Sequence, residues 1–376
     1  MRSPGQNSGQ GPKADAPPSG WGWSEYLAAL VAEAGTLTAI AWKLIERVDK
    51  AHGPDGINGT DDVASVERAL RRLRSRGPRD GGIWGQRLLR HFGVPRAIED
   101  RLRWMGLYHS PFNDLPLPLC DDQLRLWDHP PISTSRARLW LRLAAASVAL
   151  RRRDFAKAQA TLDEAQKILQ SPVRKGSDGY DSGDAPEIRV DARIEAALAR
   201  AYLQSRTDDD ETVQQSLADA QRDLHSPQLS PDDRACFVAR LCDQRAFAMN
   251  RRGDHRAALQ LYQSLPTDDV HPFASYRRDA GLAYGYLQLG QRDLARQHAQ
   301  RATQHAGDGG YTRLRVMSLI LLSRVDPHSD ALSRATAIAR RLGDPELLQR
   351  VSRARTAQAK SPADEPSMTD PAHAAK

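Results

Sequence analysis

The sequence predicts an all-α protein in which a small helical domain is followed by helical hairpins stacked side by side into a solenoid. Three observations carry this expectation. Apolar residues recur at helical spacing over most of the chain after Trp21, in runs bounded by Gly, Pro, Asp and Ser. Small inward residues return at a nearly fixed interval, with Ala258, Ala295 and Ala331 thirty-seven and then thirty-six residues apart. All seven tryptophans fall between Trp21 and Trp140, and this shift in composition sets an N-terminal domain apart from the rest.

The chain of 376 residues exceeds one ordinary core, so two domains or a long repeat array are expected. Its net charge of +7 points to an anionic partner. Arginine far outnumbers lysine, so genomic codon bias is a second source of that basicity. Cys120, Cys236 and Cys242 form no CxxC pair and read as buried free thiols of a reducing compartment. Nowhere do ~18 apolar residues run together, so neither a membrane span nor a secretion signal is expected, and the cytoplasm is the expected location.

Residues 1–20 are Gly, Pro, Ser and Gln with almost nothing to bury, and read as a disordered tail. The small helical domain is expected over 21–104. Ser24 can cap a first helix that runs to Ala34, Gly35 breaks the chain, and Thr36 caps a second. A Gly- and Asp-rich loop (51–62) follows, and Asp61 or Asp62 caps a third helix. There Val63, Val66, Leu70 and Leu73 make the buried stripe, with Ser65, Arg68 and Arg72 on the opposite face. Further helices are expected over Trp84–Phe92 and Ala97–Trp104. Prolines at 111, 116, 118, 130 and 131 mark 105–135 as a linker. Repeats are expected over 136–355, with a long loop at 171–187. Ser230-Pro231-Asp232-Asp233 is a strong helix start. Residues 356–376 read as a second tail.

The repeat pattern is clearest from Arg240 to Leu265. Ala246 and Met249 close one helix, Arg251-Arg252-Gly253-Asp254 turns the chain, and Ala258, Tyr262 and Leu265 face inward from the next. Equivalent places are taken by Ala283, Tyr286, Gly290, Ala295, Ala299 and Ala302, and again by Ala331, Ala335 and Ile338. Upstream copies hold Ala146, Ala149, Ala158, Leu162 and Ala165, then Ala199, Tyr202, Val213, Leu217 and Ala220. No such hairpin can bury its apolar face alone, so neighbours must stack. The pattern resembles the tetratricopeptide repeat. That resemblance implies about five hairpins and a concave face, built from first helices, that binds a protein or peptide and does no chemistry.

The stretch EAGTLTAIAWKL (33–44) resembles the first two helices of bacterial helix-turn-helix regulators, with Ala34, Gly35 and Ala41 at the crossing. The resemblance implies that Val63–Arg76 is a recognition helix offering Ser65, Arg68, Arg71, Arg72 and Arg76 to DNA. From Arg68 to Arg103 eleven arginines face three acids, a phosphate footprint in scale. The loop 51–62 is longer than the usual turn of ~3–4 residues, which departs from that family. The alternative is a helical bundle with a solvated arginine face, in a scaffold whose first domain binds protein.

On the first helices of the repeats, Arg142, Arg193, Arg200, Arg245, Arg277 and Arg278 are candidates for a groove that takes an acidic peptide or terminal carboxylate. Ion pairs to Asp191, Glu195, Asp243 and Asp279 are the competing use of these cations. The loop Asp55–Asp61 fails the calcium pattern because Ile57 and Gly59 sit where oxygen ligands belong. Asp178, Asp181 and Asp184 read as a hydrated loop, and His255, His271, His298 and His305 lack metal-ligand spacing. There is no GxSxG, P-loop, strand-borne GxGxxG or HExxH motif. No enzyme, metal or cofactor is expected.

Overall fold

The computed structural model describes residues 21–52, 62–171, 189–206, 210–267 and 271–360. Among these the chain is all-helical, with no strand. The expected tail 1–20, the loop stretch 53–61 with its calcium-like aspartates, Asp178, Asp181 and Asp184, and residues 361–376 lie outside the described residues. The chain divides into two compact units. Of the described residues, the first holds those up to Ile98 and Arg125–Arg138, and the second holds Glu99–Leu124 and those from Leu139 onward.

The first unit is built from α1 (Trp23–Ala34), α2 (Leu37–His52), α3 (Val63–Arg74) and α4 (Gly82–Phe92). Glu25 accepts from the backbone N–H of Gly22 at 3.0 Å, so α1 starts one residue before the expected cap at Ser24. Thr36 and Asp62 accept from Ala39 N and Ser65 N at 3.1 and 2.6 Å, as their sequence positions predict. Between α1 and α2 the chain bends by 84° at Gly35. The core gathers Leu27, Leu30, Ile40, Leu44, Val66, Leu70 and Leu88 around Trp23 and Tyr26, each no more than 3% exposed. The Trp23 indole donates to Arg79 O at 2.9 Å and the Tyr26 hydroxyl to Gly93 O at 2.7 Å, which answers the polar ends of two buried rings.

Trp23 fits because Gly81 and Gly85 leave room for it. A Cβ at Gly85 would lie 2.5 Å from the indole. Gly85→Ala gains ~1 kcal/mol of helix propensity, yet overpacking costs ~1–3 kcal/mol. The expected result is net destabilisation of the first unit, read as a lower midpoint in urea with the slope unchanged.

The second unit begins in α5 (Arg96–Gly106) and continues through a 3₁₀ turn (Pro111–Asp114) into α6 (Leu117–Trp127). Thus 105–135, expected as a linker, carries helix and buries Leu107, Phe112, Leu117 and Cys120 at no more than 4% exposure. The prolines shorten its helices without freeing it from the core. The hairpins then follow as α7 (Arg138–Arg152) with α8 (Phe155–Gln170), α9 (Val190–Gln204) with α10 (Asp210–Asp223), and α11 (Pro231–Arg251) with α12 (His255–Gln263). They continue as α13 (Pro272–Gln288) with α14 (Arg292–Asp308) and α15 (Thr312–Val325) with α16 (Ala331–Leu342), before α17 (Pro345–Lys360). The last helix extends five residues into the expected tail, to Lys360, since Ala, Gln and Lys support it locally.

Packing follows one rule. From α8 onward each second helix packs on the first helix of the next hairpin, and α9, α11, α13, α15 and α17 pack in succession as an inner row. The turns share a hydrogen bond five residues back: Asp154 N to Ala149 O, Asp254 N to Met249 O and Gln291 N to Tyr286 O, at 2.9–3.0 Å. The residue before each donor is left-handed, Gly253 and Gly290 in two cases and Arg153 in the third. This is the helix-ending bond that a left-handed residue permits. Ala146, Ala158, Ala246, Ala258, Ala283, Ala295, Ala299 and Ala335 are all at most 1% exposed, so the small residues read from the sequence are where neighbouring backbones come close.

Candidate functional site

The inner row encloses the connector between α5 and α6, and this contact is the candidate site. The connector is shaped by its own sequence. Gly106 lets it pass Trp140, because a Cβ there would lie 2.8 Å from the Trp140 carbonyl oxygen. Pro111 starts the 3₁₀ turn. The Asn113 amide ties the turn back, donating to Leu107 O at 3.1 Å and Tyr108 O at 3.2 Å, while Ser147 on α7 donates to its carbonyl oxygen.

Side chains from every side then hold the connector. Tyr108 N donates to Glu195 Oε2 on α9 at 3.1 Å. The Tyr311 hydroxyl, just before α15, donates to His109 O at 2.9 Å. Arg151 Nη2 on α7 donates to Leu115 O at 2.8 Å, and Arg313 N on α15 donates to Asp114 Oδ1 at 2.5 Å. His109 Nε2 lies 3.1 Å from Asp233 Oδ1 on α11. Burial pushes the Asp114 carboxyl up to about 6, against the pull of the Arg313 N–H and of nearby guanidinium groups.

Three arginines line the contact at one repeat position. Arg240, Arg277 and Arg313 are thirty-seven and thirty-six residues apart, the same spacing as Ala258, Ala295 and Ala331. Arg240 stands over the Tyr108 ring at 4.6 Å, and Arg277 Nη2 donates to the Tyr108 hydroxyl at 3.2 Å. Burial alone would raise the Tyr108 phenol. The positive charges of Arg277, Arg313 and Arg240 outweigh it and hold the group below its ordinary value. Each guanidinium also has a carboxylate: Glu195 at 2.6 Å for Arg240, Asp243 at 2.7 Å for Arg277, and Asp344 at 2.8 Å for Arg313. The ladder is thus charge-paired, with Arg240 over the Tyr108 ring, Arg277 on its hydroxyl and the Arg313 backbone N–H on Asp114.

The six groove arginines read from the sequence do not assemble into one cluster. Arg142 reaches Glu164 on α8 at 3.1 Å, Arg193 reaches Asp223 on α10 at 2.8 Å, and Arg200 reaches Gln166 on α8 at 2.9 Å. Arg245 bonds Gln221 on α10, and Arg278 lies 3.8 Å from Asp279. The first four brace neighbouring helices, and Arg278 meets an acid of its own helix. Of the six, Arg277 is the one that touches the connector. The expected alternative, ion pairs to nearby acids, holds for Arg277 with Asp243 and for Arg278 with Asp279. Arg240, Arg313 and Arg151 escaped the sequence reading, although the 37- and 36-residue spacing was present for two of them. Arg103, counted there in the phosphate footprint, is instead paired with Asp191 and Asp233.

One further group of charges closes the site. Arg103 donates to Asp191 and Asp233 at 2.5 Å each. Asp233 also accepts from Ser230 Oγ at 2.6 Å. Burial raises the Asp233 carboxyl, but hydrogen bonds from His109 and Ser230 and the charge of Arg103 win and hold it well below the usual range. Its unfolded form therefore binds more protons in acid. The stability it confers is complete above pH ~4 and is lost as pH falls through the folded value. Asp233→Asn is expected to flatten that acid limb and to cost ~1–3 kcal/mol at neutral pH, since Arg103 loses one of its two carboxylates and keeps Asp191. Thermal melts across the acid range read both effects.

In the first unit, α3 turns Val66, Leu70 and Leu73 inward, and Arg68, Arg71, Arg72 and Arg76 stand exposed. Arg71 pairs with Glu67 at 2.5 Å. Ser65 is half-buried and uses its backbone N–H on the Asp62 cap. The turn that would define helix-turn-helix geometry falls among the residues outside the description. Cys120, Cys236 and Cys242 are buried and free, and burial pushes the Cys242 thiol up to about 12. No single described helix is long and apolar enough to cross a membrane, and the bent pair α1–α2, which passes that test jointly, turns its large apolar side chains into the core, with Trp42 exposed. Compared with protein-family models, curated proteins and solved structures, the chain has no significant match.

Proposed function

We propose that this chain is a non-catalytic interaction protein of the tetratricopeptide type, whose inner helices bind a protein or peptide segment. The arginine ladder is the observation that carries the reading. A cation repeated at one position of three successive hairpins, and turned toward a stretch of chain, is how a repeat array holds an extended partner. The buried free thiols fit a reducing, cytoplasmic setting. Peptides selected on the full-length chain from a displayed library are expected to bind Arg277→Ala at least tenfold more weakly than wild type. Selected peptides that bind Arg277→Ala and Arg240→Ala as tightly as wild type would remove the reading.

A second reading concerns the first unit. The exposed arginines of α3 support contact with nucleic-acid phosphates, which would make the protein a transcription regulator. The competing role is a scaffold whose first unit binds protein. Duplex DNA is expected to shift with the full-length chain at low salt, and Arg68→Ala with Arg72→Ala should lower the salt slope by about 2. No shift, or a slope that the double substitution leaves alone, removes the regulator.

A further inference from the structure

We propose that residues 107–115 are an internal ligand of the hairpin array, and that a partner segment of the same chemistry, an aromatic residue followed six positions later by a carboxylate as Tyr108 is by Asp114, takes their place. The inference rests on the peptide-binding reading of the inner face.

Three observations carry it. The array holds the connector through backbone groups as well as side chains: Tyr108 N, His109 O and Leu115 O each meet a side chain from a different hairpin. Backbone recognition of this kind is indifferent to sequence and transfers to another segment. The fit is also incomplete. His109 Nδ1 and Ser110 Oγ have no hydrogen-bond partner, although the two residues are only 6% and 5% exposed, and Arg277 Nε in the wall lacks one too. A segment kept solely as core would leave few such atoms. Finally, α9, α11, α13 and α15 pack on one another directly, so the inner row does not depend on the connector for its succession.

The resident side chains define the replacement. Tyr108 supplies an aromatic face to Arg240 and a hydroxyl to Arg277. Asp114 supplies a carboxylate to the Arg313 N–H. A partner that also offers an acceptor to Arg277 Nε, and has no buried orphan of its own, competes on better terms.

The test uses the full-length chain and a fluorescent peptide of residues 105–116 as probe. Asn113→Ala with Asp114→Ala removes the tie of the turn and the anchor on Arg313. This variant is expected to bind the probe at least tenfold more tightly than wild type, and adding Arg277→Ala should abolish the gain. In wild type, the Tyr108, Ser110 and Asn113 amides are expected to exchange with solvent through an opening that leaves α11 and α13 protected. A folded double variant that binds the probe no better than wild type overturns the proposal. So do connector amides that exchange only together with those of α11 and α13, and this second measurement decides if the variant does not fold. Library peptides that depend on Arg277 but bind wild type and the double variant equally would sink the internal ligand and leave the receptor standing. The absence of any such peptide sinks the receptor reading itself.

Discussion

Asp344→Ala is expected to abolish the cooperative unfolding transition of the second unit, or to move it to much lower denaturant. The carboxylate is 0% exposed and every oxygen is in use. Oδ2 accepts from Arg151 Nε at 3.1 Å and Arg313 Nε at 2.8 Å. Oδ1 accepts from Glu346 N and Leu347 N at 3.0 and 3.2 Å, which caps α17. One side chain thus joins the first hairpin, the last hairpin and the final helix. Removing one partner of a buried pair costs ~3–5 kcal/mol because the other charge is left in low dielectric. Here Arg151, at 2% exposure, loses its carboxylate, Arg313, at 8%, keeps only Glu346 at 3.1 Å, and a cap worth ~1 kcal/mol goes with them. Against a total stability of ~5–15 kcal/mol this is most of what the unit has. Asp344→Asn keeps the shape and one oxygen for the cap, so its loss should be smaller. Urea unfolding followed by near-ultraviolet circular dichroism measures both, and an alanine variant within ~1 kcal/mol of wild type would contradict this account.

Glu195→Ala should be nearly as damaging. Glu195 and Arg240 pair at 2.6 Å with side-chain exposures of 4% and 6%, and Glu195 Oε2 also accepts from Tyr108 N. The single substitution leaves Arg240 buried without that carboxylate, between the Tyr108 and Phe237 rings at 4.6 and 6.0 Å, for an expected loss of ~3–5 kcal/mol. Replacing both with leucine should recover a large part, because two apolar side chains carry no desolvation penalty. A double-mutant cycle separates these contributions. A double variant as unstable as the single one would show that packing, and not the stranded charge, governs the site.

Much of the fold was legible in the sequence for a local reason. An inward alanine, a left-handed turn residue and a capping Ser or Asp each act within a few residues, so Ala258, Gly253, Asp62 and Ser230 announce their structure directly. The core of the first unit was less legible. Trp23 rests on Gly81 and Gly85, about sixty residues away, and no local signal links a tryptophan to the glycines that make room for it.

The candidate site was least legible. A buried arginine and a solvated one have the same helix propensity and much the same spacing, so Arg193 and Arg245, which brace hairpins, looked no different from Arg277, which meets the connector. Likewise the prolines of 105–118 suppress helical periodicity, and a stretch without periodicity reads as a linker whether it lies in water or among Tyr108, Arg240 and Arg277.

Sequence alone settled that this chain would form paired helices, the last three pairs thirty-six to thirty-seven residues apart, because each pair has an apolar flank it cannot bury by itself. Tertiary structure alone decided what the inner row encloses and which arginines face it. That choice depends on where carboxylates from distant helices, Glu195, Asp243 and Asp344, come to lie, and a buried charge is tolerated only where such partners converge.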